Sequence, residues 1–374
     1  MSLKKLPIYL DHAATTPVSP EVLEAMLPYF TENYGNPSSR HHAYGWFAEE
    51  AFDTAVEQIS KAFKCKKNEV VFTSGATESI NLALKGFFEY QPETRFISYN
   101  TEHKATLEVA ETLKSKGSQV TILGVKPNGD LDLEVLENEL KKGFSLLSLM
   151  YANNETGLIH PMAEIIKLKE KYDFLLHIDV TQAVGKLDID FRGIDMLSYS
   201  AHKIYGPKGV GGLLVKEGLK LSPQIVGGGQ QRSLRSGTLN IPGIVGIGLA
   251  TKLAQQNIEK YNHHCGSVKS KFESVIKEIF PESIINAADS SRVSNISNVC
   301  FTGYDGEDLM LKLHNIAVSN GSACNSATTF PSHVLTAMGL SSSDAFASLR
   351  FSFGWGNTME QLDEVLDWMK EVIG

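Results

Sequence analysis

Seven short apolar runs, rich in β-branched and aromatic residues, alternate with amphipathic segments over the first two-thirds of the chain. This rhythm restricts the fold more than any other feature. The runs are EVVFTSG (69–75), RFISYN (95–100), QVTILGV (119–125), LLSLMYAN (146–153), LLHIDV (175–180), DMLSYS (195–200) and GVGGLLV (209–215). Between several of them the apolar spacing predicts helices over 77–89, 104–116, 131–142 and 162–172. In the first of these Ile80, Leu84, Phe87 and Phe88 share a face, and Ser74-Gly75-Ala76-Thr77 supplies the start signal. Alternation of this kind is the pattern of βαβ units, so the expected class is α/β with a mostly parallel seven-stranded sheet covered on both faces. Several runs are nearly continuously apolar, as strands buried on both sides must be.

After about residue 243 the pattern changes. A long helical stretch leads into a second region with strand candidates SNISNVCFTG and AVSNGS and a closing helix, MEQLDEVLDWMKEVI. A chain of 374 residues is long enough for two domains. Its formal charge of −8 argues against nucleic acid or an anionic membrane as the main partner. LPIYL is too short for a signal-peptide core and IPGIVGIGLA too short to span a bilayer, so a cytoplasmic location is expected. The cysteines at 65, 265, 300 and 324 form no CxxC pair and suit a reducing compartment.

In an open α/β sheet, ligands bind beyond the carboxyl ends of the strands. The residues just after each run are therefore the place to look for a site. Gly75-Ala76-Thr77 comes after the first, Thr101-Glu102-His103 after the second and Asn153-Asn154-Glu155 after the fourth; Asp179 and Gln182 lie in and after the fifth, and Ser200-Ala201-His202-Lys203 after the sixth. Each has a plain explanation alone: an N-cap, a capping carboxylate, a solvated lysine. Together, an anion cradle at a helix start, a carboxylate amid apolar residues and a strand-end lysine suggest pyridoxal phosphate. Its chemistry asks for a lysine to hold the aldehyde, an acid to keep the pyridine nitrogen protonated, and donors for the phosphate. GIVGIG at 243–248 imitates a dinucleotide fingerprint but comes after Pro242 rather than a strand, and His263-His264-Cys265 has no partner motif to complete a metal site.

Cys324 stands in SNGSACNSATTF, among small polar residues that offer a buried thiol no apolar wall. At this point the sequence resembles a known family nearly end to end: YLDHAATTPV, GNPSSRHHAYG, VFTSGATESINLALKG, TEHKA, NNETG, HIDVTQAVGK, SAHKIYGPKGVGGL, GGGQQRSLRSGTLN, SNGSAC and SLRFSFG are similar, in order, to cysteine desulfurases of the NifS and IscS type in the class V aminotransferase superfamily. The resemblance implies the fold type I architecture of pyridoxal phosphate enzymes, a homodimer, a large cofactor-binding domain over 16–255, and a smaller α+β domain made of 1–15 plus 256–374 that carries the Cys324 loop and Arg350.

By the same resemblance Lys203 holds the cofactor as a Schiff base, His103 stacks on its ring and shuttles protons, Asp179 pairs with the pyridine nitrogen and Gln182 bonds the ring hydroxyl. Ala76, Thr77, Ser200 and His202 hold the phosphate, with Thr238 reaching over from the other subunit. Asn154 and Arg350 bind the carboxylate of L-cysteine. Cys324 is then the nucleophile that receives the sulfur as a persulfide, and the long segment around it looks like that of the group delivering sulfur to a protein acceptor, an iron-sulfur scaffold or a tRNA-thiolating enzyme. One departure is Asn320, where the motif commonly has Ser.

Overall fold

Strands with no polar face must be covered on both sides, and here they are. The computed structural model describes residues 6–320 and 330–373. Twelve strands are found among them: β1 (Ile8–Tyr9), β2 (Val70–Thr73), β3 (Arg95–Tyr99), β4 (Val120–Leu123), β5 (Ser145–Met150), β6 (Phe174–Asp179), β7 (Met196–Ser200), β8 (Gly211–Val215), β9 (Ile284–Ile285), β10 (Ile296–Cys300), β11 (Ile316–Ala317) and β12 (Ser348–Ser352). The expected seven-stranded sheet is present, in the order β2-β8-β7-β6-β5-β3-β4, with β8 antiparallel to both neighbours and the other pairs parallel. Every residue of β5, β7 and β8 is buried. Several buried hydroxyls in the sheet are paired locally: Ser98 donates to the Ser148 carbonyl at 2.8 Å, and His177 bridges Ser148 (2.8 Å) and Ser198 (2.9 Å) across β5, β6 and β7.

The four predicted helices form at Ala76–Tyr90, Lys104–Ser115, Leu133–Leu140 and Met162–Lys171, and Ile80, Leu84, Phe87 and Phe88 are all buried. The long helical stretch after 243 is not one helix. It breaks at Asn257 into Ile241–Gln256 and Ile258–Ile279, and the Asn257 side chain donates to the Leu253 carbonyl at 2.8 Å. GIVGIG lies inside the first of these. A Cβ at Gly248 would meet the Ala55 Cα at 2.7 Å and one at Gly246 the Met26 sulfur at 2.7 Å, so these glycines serve close packing against the helix Ala43–Phe63 and Met26 rather than a phosphate.

A separate apolar core gathers Leu10, Phe272, Val299, Leu349, Phe351 and Phe353 around the antiparallel sheet β12-β10-β9 and the helix Met359–Ile373. The start of the chain belongs with it, because β1 pairs in parallel with β11 and Asp11 bridges to Ser352. From there Ala13, Ala14 and Thr15 contact Lys203 and His202, just after the carboxyl end of β7. No helix among the described residues is long and apolar enough to cross a membrane.

Candidate active site

A cavity of about 590 Å³ opens where the parallel strands end, lined by groups from both cores: Ala76, Thr77, His103, Asn154, Asp179, Gln182, Ser200, His202, Lys203 and Arg350 among them. Ten of the twelve residues singled out in the sequence thus meet in one place. Thr238 is exposed and outside this lining, and Cys324 lies outside the described residues.

Lys203 ends the 3₁₀ turn Ala201–Lys203 that comes directly after β7. Its Nζ donates to the carbonyls of Ala13 (2.8 Å) and Ala14, in the segment after β1. Gln182 Nε2 donates to the same Ala13 oxygen at 2.9 Å. Asp179 closes β6, is 7% exposed, and accepts the Thr181 N–H at 2.9 Å through one carboxylate oxygen. A carboxylate this deep in the sheet needs a cationic or hydrogen-bonding partner on its cavity side.

His103 caps the helix Lys104–Ser115, its Nδ1 accepting the Ala105 N–H at 3.1 Å. With Nδ1 occupied, the neutral ring carries its proton on Nε2. Burial pushes its pKa below the ordinary histidine value; Asp179 opposes this, while Lys203 adds to it. His202, hydrogen-bonded to Thr15 at 3.1 Å, is pushed down to about 4 by burial with Lys203 and Lys208 nearby.

The helix Ala76–Tyr90 begins without a side-chain cap, since its N-cap is Gly75; the Ser74 N–H is engaged by the Glu78 carboxylate (2.8 Å), which Arg235 holds in turn at 2.9 Å. Its first N–H groups have no intrahelical acceptor, and with the helix dipole they form an anion cradle facing Ser200 and His202. Gly211 makes room for it: a Cβ there would lie 2.6 Å from the Gly75 Cα.

Opposite the cradle, β12 delivers Arg350. One terminal nitrogen donates to the Asn154 carbonyl and the other to Asp11, both at 2.8 Å, and its buried Nε has no partner. Sequence reasoning missed Asp11, Ala13 and Ala14, although YLDHAATTPV contains all three; it placed Glu102 and Glu155 among the strand-end residues but gave neither acid a role. Glu155 accepts a hydrogen bond from Ser332, and Glu102 accepts the Met150 N–H at 2.9 Å; burial raises both pKa values. The signal available was an acid inside each of the segments TEHKA and NNETG.

A family model described as aminotransferase class-V matches residues 8–365. The cysteine desulfurase IscS of Rickettsia bellii is 43% identical over 364 residues, covering 96% of this chain and 89% of its own. A solved structure of a NifS-like protein superposes with a TM-score of 0.91 at 35% identity, covering 98% of this chain and 99% of its own. SspA, solved in complex with cysteine, superposes with a TM-score of 0.83 at 36% identity over 93% of this chain and 99% of its own.

Proposed function

The chain belongs to the aminotransferase class-V family, and from that premise we propose that its cavity works with pyridoxal phosphate on L-cysteine. The protein is a cysteine desulfurase: L-cysteine and an enzyme thiol give L-alanine and an enzyme persulfide, the Cβ–S bond breaking as the S–S bond forms. The observation that supports the cofactor is the convergence, in one cavity, of an uncapped helix start, a 7%-exposed carboxylate and a lysine reaching in from the end of β7. These fit the phosphate, the pyridine nitrogen and the aldehyde respectively. When bound, the cofactor supplies an electron sink that labilises the substrate's Cα–H and Cβ–S bonds.

The chain's own residues do the rest. Ala76, Thr77, Ser200 and His202 hold the phosphate, and neutral His202 acts there as a hydrogen-bonding group rather than a charge. Asp179 keeps a proton on the pyridine nitrogen. Ala13 and Ala14 fix the aim of Lys203, and Gln182, on the same Ala13 oxygen, is placed beside the ring hydroxyl. His103 presents its Nε2 proton to the reacting atoms. Arg350, steadied by Asn154 and Asp11, takes the substrate carboxylate with its fork. Cys324 is the persulfide-forming nucleophile, Thr238 completes the phosphate site of a homodimeric partner, and the sulfur acceptor is a cytoplasmic iron-sulfur scaffold or tRNA-thiolating enzyme. The division we take is a large domain of residues 16–255 and a small one of 1–15 plus 256–374.

The test is to incubate cofactor-loaded protein with L-cysteine and dithiothreitol and to quantify sulfide and alanine together, beside Cys324→Ala. Equal yields from the parent, lost in the variant while its cofactor spectrum still responds to cysteine, are expected. Full turnover in the variant would overturn the nucleophile, and an absence of alanine from the parent would overturn the desulfurase reading.

A further inference from the structure

Behind Lys203 lies a second cavity, of about 490 Å³, whose lining shares that lysine with the active site but contains none of Asp179, His103 or Arg350. Its walls are apolar and aromatic: Val22, Ile204, Ala250, Leu253, Tyr261 and Trp355. Into this setting the fold places a cation. Gly185, at a φ of +73°, brings the chain so close to the helix Ile241–Gln256 that a Cβ would lie 2.9 Å from the Ala254 Cβ, and the next residue, Lys186, is left only 4% exposed.

The Lys186 ammonium forms no hydrogen bond or ion pair among the described residues. Its neighbours are the face of the Tyr261 ring, 5.9 Å away, and the buried thiol of Cys265. His12, 7% exposed and in the same lining, has an Nδ1 without a partner. The carboxylate of this lining, Glu21, is exposed to solvent rather than set against the lysine. Tyr205 contributes its ring from a left-handed backbone, φ +63°, with its hydroxyl accepting the Trp355 N–H at 2.9 Å; strain of this kind collects at ligand clamps.

A buried cation without a counter-ion is costly, and burial accordingly draws the Lys186 pKa down to about 8. At neutral pH the group still carries most of its charge. An anion entering the cavity would gain a charge-assisted hydrogen bond without a further cost of desolvating the ammonium, which the fold has already met. With Lys203 of the same lining committed to the Ala13 and Ala14 carbonyls, Lys186 is the cation left to meet one negative charge, and the walls suit a hydrocarbon body. We propose that this cavity is a binding site for a small organic monocarboxylate with an apolar or aromatic body, held by Lys186 with His12 as the second polar contact.

The proposal is tested by calorimetric titration of the full-length, cofactor-saturated protein with benzoate, its neutral isostere benzamide, and inorganic phosphate. Benzoate is expected to bind at one site per chain. Benzamide, which loses the charge-assisted hydrogen bond, and phosphate, which lacks the apolar body, should each bind about tenfold more weakly or worse. Lys186→Met should weaken benzoate by a similar factor, and Val18→Trp, which enlarges a lining residue while leaving the lysine in place, should abolish binding even if the first variant folds poorly. Arg350→Ala should leave benzoate affinity unchanged, because that arginine serves the other cavity. Benzoate heats that are absent, that survive both Lys186→Met and Val18→Trp, or that vanish in Arg350→Ala would each overturn the assignment.

Discussion

His103 and His202 flank Lys203, and their low proton affinity has one leading origin: each ring is desolvated, and in each the nearby lysine adds to the effect. For His103 this has a catalytic consequence. Its pKa is displaced below the ordinary value near 6.5, so the neutral ring persists to more acid pH than a solvated histidine would allow. The acid limb of kcat/KM for alanine formation is therefore expected at a midpoint below that ordinary value. His103→Gln, which keeps a hydrogen-bonding side chain but cannot titrate, should lower kcat by about 10² to 10⁴-fold, the usual contribution of a positioned acid–base group, and should erase that limb. A pH–rate profile of parent and variant decides the matter: an acid limb unchanged in the variant would assign it to another group.

At the scale of elements, the strands and helices of the large sheet were legible because their patterning is local and unambiguous. β5 and β7 are apolar runs bounded by polar residues, and Ile80, Leu84, Phe87 and Phe88 can share a face only in a helix. The break at Asn257 was not legible, since no Pro or Gly marks it and its side chain caps the preceding helix through a contact seen only in three dimensions. The same reason hid Asp11 and Ala13: their roles depend on a pairing between β1 and β11, some three hundred residues apart in sequence, as the register Ile8↔Ile316 shows. Element packing also yields two predictions. Gly211→Ala would place a methyl group 2.6 Å from the Gly75 backbone, so β8 and the helix start must separate; a loss of about 1–3 kcal/mol in urea stability, with faster loss of cofactor absorbance on dialysis, is expected. His177, locked neutral between Ser148 and Ser198, has its pKa pushed down to about 3 by burial. The unfolded chain takes up a proton near the ordinary histidine pKa while the folded one does not, so stability falls by about 1.4 kcal/mol per pH unit as pH drops below that value, until the folded pKa is reached. His177→Gln should flatten the pH dependence of unfolding by about that slope between roughly pH 6 and pH 4.

At the scale of the whole molecule, the site is the place where two cores meet. Lys203 and Asp179 are carried by the large sheet, Arg350 by β12, and the contact from Arg350 to the Asn154 carbonyl joins the two bodies across the cavity, while Asp11 steadies the arginine from its own body. A ligand whose carboxylate sits on Arg350 while its amine end lies toward Lys203 must touch both bodies, so it binds the folded arrangement and not the unfolded chain. Linkage then raises stability by RT ln(1 + [L]/Kd), about 2.7 kcal/mol at a hundredfold excess over Kd. For the cofactor-loaded protein, L-alanine, the product that carries the substrate carboxylate without its sulfur, is expected to raise Tm by a few degrees, as that stabilisation implies for a chain of this size. Arg350→Lys keeps the charge but loses the planar fork and should reduce that shift at fixed alanine concentration, while the Tm without ligand moves much less. Differential scanning calorimetry separates the two readings of the arginine. If the variant lost stability without alanine yet kept the full ligand-induced shift, Arg350 would be a tie between bodies and not a carboxylate receptor.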